Sequence, residues 1–162
     1  MDKELGQTAV QLGELLREKK LTITAAESCT GGWVTKVLTD IAGSSDWFDR
    51  GFVTYSNAAK HEMLGIGSEL IEVEGAVSEA VVREMVRGAI ANSAADLALA
   101  VSGIAGPGGG TPEKPVGTVW FAWGRSDSAV VTRLVRFEGD RDQVRRQAVL
   151  TALRGAIDLI ER

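Results

Sequence analysis

The chain has 162 residues, 44% apolar and 25% charged, with a net charge of −4 and one cysteine. That length fits a single domain able to bury roughly two thirds of its unfolded surface, and a lone cysteine excludes an internal disulfide framework. The acidic balance argues against a nucleic-acid binder, and no run approaches the roughly eighteen apolar residues of a membrane span. Met1-Asp2-Lys3-Glu4 lacks the basic region and apolar core of a signal peptide, so a soluble cytoplasmic protein is expected.

Leu5, Ala9, Leu12 and Leu16 recur at helical spacing and predict a first helix, closed by Arg17, Lys19 and Lys20 where cations oppose the dipole. Leu21 to Ala26 reads as a strand, and Trp33 to Ile41 as a helix broken by Gly43-Ser44-Ser45. Gly51 to Ser56 is rich in β-branched and aromatic residues and predicts a strand feeding a short helix from Asn57 to Leu64. Between Gly65 and Gly75 the pattern weakens into a loop or short irregular element. Ser78 then caps a helix whose stripe is Val81, Val82, Met85, Val86, Ala89 and Ile90.

Leu97 to Val101 is a continuous apolar run of the kind buried on both faces of a sheet, and the glycines and prolines from Gly103 to Pro115 make a loop. Gly117 to Trp123 and Ala129 to Phe137 predict an antiparallel hairpin, and Asp140 with Gln143 a capping box that opens the last helix. The order predicts one α/β domain over residues 1–162, a three-layer α/β/α sandwich with a mixed sheet of about five strands.

The stretch Thr24-Ala25-Ala26-Glu27-Ser28-Cys29-Thr30-Gly31-Gly32-Trp33 takes the chain from strand through a tight turn into a helix. Helix-start amides have no intrahelical partner and carry the positive end of the dipole, and Gly31 and Gly32 leave them open to a ligand. Ser28 at that turn is a candidate nucleophile with Thr30 and Gly31 amides as oxyanion donors. The plainer alternative is that Ser28 or Thr30 merely caps the helix.

Two nucleophilic pairs fit the sequence: a Cys29 thiolate with His61, or a Ser28 hydroxyl activated by Lys60. An ordinary lysine, pKa about 10.4, is neutral in only on the order of one molecule in 2,500 at pH 7. A working Lys60 base therefore needs roughly 3 to 4 kcal/mol of desolvation, within reach if the strand encloses it; otherwise it is a snorkelling surface lysine. Tyr55 stands beside it as an assisting hydroxyl. His61 is the only histidine and no metal-ligand spacing exists, so no metal is expected. The loop from Ser102 to Gly110 lacks the Lys-Ser/Thr ending of a P-loop, though its amides can cradle a phosphate. Arg133, Arg136, Arg141, Arg145 and Arg146 are interleaved with Glu138, Asp140 and Asp142, which reads as a solvated face.

Taken jointly, the stretch from Thr24 to Gly32, Gly51-Phe52-Val53-Thr54-Tyr55-Ser56-Asn57 with Lys60, Gly75-Ala76-Val77-Ser78, Ser102-Gly103-Ile104-Ala105-Gly106-Pro107, Lys114-Pro115-Val116-Gly117-Thr118-Val119 and Gly139-Asp140-Arg141 resemble one family. The chain resembles the nicotinamide-nucleotide amidohydrolases (NMN deamidases), the family of the CinA C-terminal domain, in its stand-alone form. The resemblance implies hydrolysis of nicotinamide mononucleotide to nicotinate mononucleotide and ammonia, in pyridine nucleotide salvage, by a serine/lysine acyl-enzyme with no cofactor. It implies Ser28 as nucleophile, Lys60 as general base, Tyr55 as assistant, Thr30 and Gly31 as oxyanion donors, and a homo-oligomer, a dimer. Gly32, Gly103, Ile104, Ala105 and Arg141 are the expected substrate-binding positions, Arg141 because a guanidinium fork suits a phosphate. The competing class is a non-catalytic nucleotide-sensing or partner-binding domain in which Ser28 is only a cap.

Overall fold

The computed structural model describes residues 2–162. Helix α1 (Lys3–Lys19) is capped by the Asp2 side chain, and Leu5, Ala9, Leu12 and Leu16 form its buried stripe. Strand β1 (Ile23–Glu27), α2 (Trp33–Thr39), β2 (Phe48–Val53) and α3 (Asn57–Leu64) follow, with a 3-10 turn at Ser44–Asp46 before β2. Then come α4 (Ser68–Glu74), α5 (Glu79–Ala91), β3 (Leu97–Gly103), the hairpin β4 (Thr118–Arg125) with β5 (Val131–Arg136), and α6 (Arg141–Glu161). The five strands form one mixed sheet in the order β2-β1-β3-β4-β5, parallel through β3 and antiparallel at β4 and β5. The expected three-layer sandwich is the observed one.

The two faces of the sheet are lined differently. Leu97, Leu99, Val101, Phe121 and Trp123 face α1, α2 and α6, whereas Ala26, Ala98, Ala100 and Ala122 face the helices α3 to α5. Small side chains on the second face let α5 lie close to the sheet, where Val82, Met85 and Val86 are fully buried. The chain moves from β1 outward to β2 across one face and back past β1 to β3 across the other, as right-handed crossovers in opposite directions require. The crevice between the C-terminal ends of β1 and β3 is therefore the switch point of the sheet, where open α/β folds bind ligands.

Two elements differ from the sequence reading. The second strand was expected from Gly51 to Ser56 but runs Phe48–Val53, because its partner β1 ends at Glu27 opposite Val53: Thr54 still donates its N–H to the Glu27 carbonyl at 2.8 Å, and Tyr55 pairs with no residue of β1. The weakly patterned stretch holds the short helix α4, whose only buried residue, Ile71, gives no periodicity to detect, while Val73 is 79% exposed.

Gly88 sets how closely α3 approaches α5. A Cβ at this position would fall on the Leu64 carbonyl oxygen and lie 2.9 Å from the Leu64 Cβ. Gly88→Ala is expected to cost about 1–3 kcal/mol in urea unfolding through overpacking. It should also lower activity beyond that stability loss, because α3 carries Lys60.

Candidate active site

Lys60 is the charge that the fold encloses. It lies on the sheet-facing side of α3 and is 1% exposed, so the snorkelling alternative does not hold. Its Nζ is 2.9 Å from Ser28 Oγ, 2.8 Å from the Thr54 carbonyl oxygen and 3.3 Å from the Tyr55 carbonyl oxygen. The two carbonyls have no proton to give, so they fix two N–H bonds of the amine. In the neutral form the remaining position is a lone pair directed at the Ser28 hydroxyl. Burial pulls the Lys60 pKa down from 10.5 to about 8.

Ser28 follows β1 and is held by its N–H donating to the Val101 carbonyl at 3.0 Å. It does not cap α2, and neither does Thr30. That work falls to Glu27, fully buried at the end of β1. Its carboxylate accepts from the amides of Gly32, Val34 and Thr35 and from the hydroxyls of Thr30 and Thr35, at 2.6 to 3.2 Å. A carboxylate at a helix N-terminus also meets the favourable end of the dipole. The turn is braced from the far side by α6: Arg145 donates through Nε to the Cys29 carbonyl at 3.0 Å and through Nη2 to the Thr30 carbonyl at 3.1 Å. The same guanidinium stacks on Trp33, 5.5 Å from the ring centroid.

The amides of the turn can be accounted for one by one. Gly31, expected as an oxyanion donor, gives its N–H to the Ser28 carbonyl, and Trp33 gives its N–H to Thr30. Among the described residues, only the amides of Cys29 and Thr30 in this turn lack an acceptor in another residue. The trans peptide plane sends each of these N–H groups opposite to the preceding carbonyl, away from Gly31 and from Arg145.

The cleft over this turn has a volume of about 300 Å³. Of the expected residues, Ser28, Lys60, Tyr55, Gly103, Ile104, Ala105 and Arg141 line it. Thr30, Gly31 and Gly32 do not: Thr30 is buried behind the turn, and Gly32, with φ +100°, is held by Glu27 as the first residue of the α2 cap. The Tyr55 hydroxyl accepts from Arg141 Nη2 at 3.4 Å and makes no bond to Ser28 or Lys60, whereas Arg141 Nη1 donates to the Gly106 carbonyl at 2.8 Å. Arg141 thus closes the rim between α6 and the glycine loop.

Cys29 also lines the cleft, but burial, reinforced by the Glu27 carboxylate, pushes its thiol up to about 12, so it stays protonated. His61 lies on the exposed side of α3 with Nδ1 2.7 Å from the Ile66 carbonyl, at a separate depression with Glu62 and Glu72. The thiolate-imidazole pair is therefore not assembled. Asn57 and Ser102 line the cleft without having been singled out. A serine ending the apolar run of β3 was the available signal for Ser102. The expected solvated arginine face is also revised, since Arg141, Arg145 and Arg146 serve the cleft, the turn and the Asp2–Glu4 carboxylates respectively.

Fold and cleft together define a three-layer α/β protein that holds a hydroxyl against a buried amine at the switch point of its sheet. The chain belongs to the CinA C-terminal domain family, whose model matches residues 6–160. It is 58% identical over 152 residues to the nicotinamide-nucleotide amidohydrolase PncC of Escherichia coli (strain K12), covering 94% of this chain and 92% of that protein. It is 54% identical to the PncC protein of Pseudomonas putida, covering 93% and 94%. The crystal structure of the competence/damage inducible protein CihA from Agrobacterium tumefaciens superposes with a TM-score of 0.96 at 40% identity, over 100% of this chain and 98% of that one.

Glu27→Gln keeps the shape but turns an amide NH2 toward donors. It is expected to lower stability by about 2–4 kcal/mol, read as a reduced urea midpoint at unchanged slope.

Proposed function

We propose that the protein hydrolyses the carboxamide of nicotinamide mononucleotide, giving nicotinate mononucleotide and ammonia in pyridine nucleotide salvage. The observation that carries this reading is the 2.9 Å approach of the buried Lys60 amine to Ser28 Oγ, with two carbonyls occupying the other N–H positions of the amine. The names of the similar proteins supply the substrate.

Neutral Lys60 takes the Ser28 proton as Oγ attacks the carboxamide carbon, and the carbonyl electron pair moves onto oxygen. The amide of Cys29, which lines the cleft, receives that oxyanion, in the place first expected for Thr30 and Gly31. The Lys60 ammonium returns the proton to the leaving nitrogen, the C–N bond breaks and ammonia departs. Water then attacks the acyl-enzyme with Lys60 again as base, releasing the acid and restoring Ser28. Arg141 and the loop from Gly103 hold the phosphate, and Tyr55 borders the ring. None of these steps uses a metal or other cofactor. A homodimer, which rests on the family resemblance, and a cytoplasmic location belong to the same reading.

Incubating the protein with the mononucleotide should release ammonia in proportion to enzyme. Ser28→Ala and Lys60→Met are each expected to lower kcat by about 10³-fold or more while remaining folded. A folded wild-type protein releasing no ammonia above background would remove the amidase reading.

The base acts only when uncharged, so kcat/KM should rise tenfold per pH unit at low pH and level off near 8, the value to which burial brings Lys60. Because the folded pKa lies below the unfolded one, the protonated native state is the penalised one. The Lys60 contribution to stability therefore improves as pH rises from about 8 to 10.5. A profile flat between pH 6 and 9 would rule out Lys60 as the base.

A further inference from the structure

We propose that Ser102 is the residue that distinguishes a carboxamide from a carboxylate in this cleft, by accepting a hydrogen bond from the amide NH2 of the substrate. This rests on the nucleotide-amidase reading and assigns its specificity for the nitrogen.

The pairing of Glu27 with Val101 is the last of the β1–β3 register, and the Ser28 amide continues it by donating to the Val101 carbonyl at 3.0 Å. The next position in register sets Ser28 beside Ser102, with both side chains on the same face of the sheet. Ser102 is 1% exposed, lines the cleft, and donates its hydroxyl proton to the Ala76 carbonyl at 2.8 Å. A carbonyl oxygen has no proton to offer in return, so the direction of that bond is fixed. The hydroxyl has only one proton, and with it committed to Ala76 the oxygen turns nothing but lone pairs toward a ligand.

Neutral Lys60 offers the ligand no donor, because its two N–H bonds are held by the Thr54 and Tyr55 carbonyls and its lone pair is directed at Ser28. The nucleophile is therefore flanked by an acceptor at Ser102 and by a donor at the Cys29 amide. A carboxamide matches this pattern, since its carbonyl oxygen meets the donor and its NH2 meets the Ser102 oxygen. A carboxylate cannot match it, because its second oxygen faces the Ser102 lone pairs with no proton between them. A site built to hydrogen-bond an N–H strongly rejects an analogue lacking it. The same mismatch favours expulsion of the acid product.

The test is calorimetric titration of nicotinamide mononucleotide and nicotinate mononucleotide into Ser28→Ala protein, which cannot turn over. It is run at pH 9, where Lys60, with its pKa of about 8, is about nine-tenths neutral. The amide is expected to bind about tenfold or more tighter than the acid. Adding Ser102→Ala should shrink that ratio to about threefold or less, mainly through lost amide affinity, while Ser102→Thr keeps it. Should Ser102→Ala fail to fold by thermal melting, Ser102→Cys, a weaker acceptor, reads the same ratio.

An unchanged ratio, with both affinities falling together, would mean that Ser102 only ties β3 to the Ala76 loop, and would overturn the proposal. Binding of neither nucleotide to Ser28→Ala overturns it as well. Ammonia release by the wild-type protein is read separately. Its absence alongside a ratio that depends on Ser102 would sink the amidase reading and leave the assignment of Ser102 standing.

Discussion

The site depends on one buried carboxylate that pairs with no cation among the described residues. Glu27 ends a strand inside the protein, where an unpartnered charge would be costly, and its two oxygens are satisfied by three amides and two hydroxyls of the turn and helix that follow. This arrangement transfers helix capping from the usual small hydroxyl residues to a side chain reaching forward from the preceding strand. Ser28 is thereby released from a structural duty that its position would otherwise impose. Its hydroxyl is free to face Lys60, and the peptide planes after it are fixed by the same five bonds.

The second constraint comes from the far end of the chain. Helix α6 presents Arg141, Arg145 and Arg146 within its first two turns, and each meets a different part of the molecule. Arg146 pairs with Asp2 and Glu4 and fastens α1 against α6. Arg145 holds the Cys29 and Thr30 carbonyls, and Arg141 reaches the Gly106 carbonyl and the Tyr55 hydroxyl. A helix formed 113 residues after Ser28 in the chain thus sets the back of the nucleophile turn and the rim of the cleft. The glycine at position 31 fits this brace, since a Cβ there would stand 3.4 Å from Arg145 Nη2 on a backbone with φ +58°.

The fold was legible where the sequence is periodic: the α1 stripe, the apolar run of β3, the Ser78 cap and the Asp140–Gln143 box are all local signals, and each is found as read. The offset of β2 was not legible, because a strand ends where its neighbour does, and β1 is 21 residues upstream of Phe48 at Glu27. In the site, the convergence of Ser28, Lys60, Tyr55 and Arg141 on one cleft was legible through joint motifs rather than through spacing. Glu27 was visible only as a letter in the motif, since its partners lie three to eight residues on and depend on the turn being formed. Arg145 could not be separated from its charged neighbours, because its role is defined by carbonyl oxygens more than a hundred residues away, and backbone oxygens leave no trace in composition.

The two oxygens that hold the Lys60 amine belong to the main chain of Thr54 and Tyr55. No exchange of side chains at 54 or 55 can delete them, so these positions are free to vary in identity without releasing the proton acceptor. Length is another matter. One residue gained or lost between the end of β2 and the first turn of α3 would rotate the ammonium-bearing stem off its two anchors, so evolution can rewrite this link letter by letter but cannot stretch it.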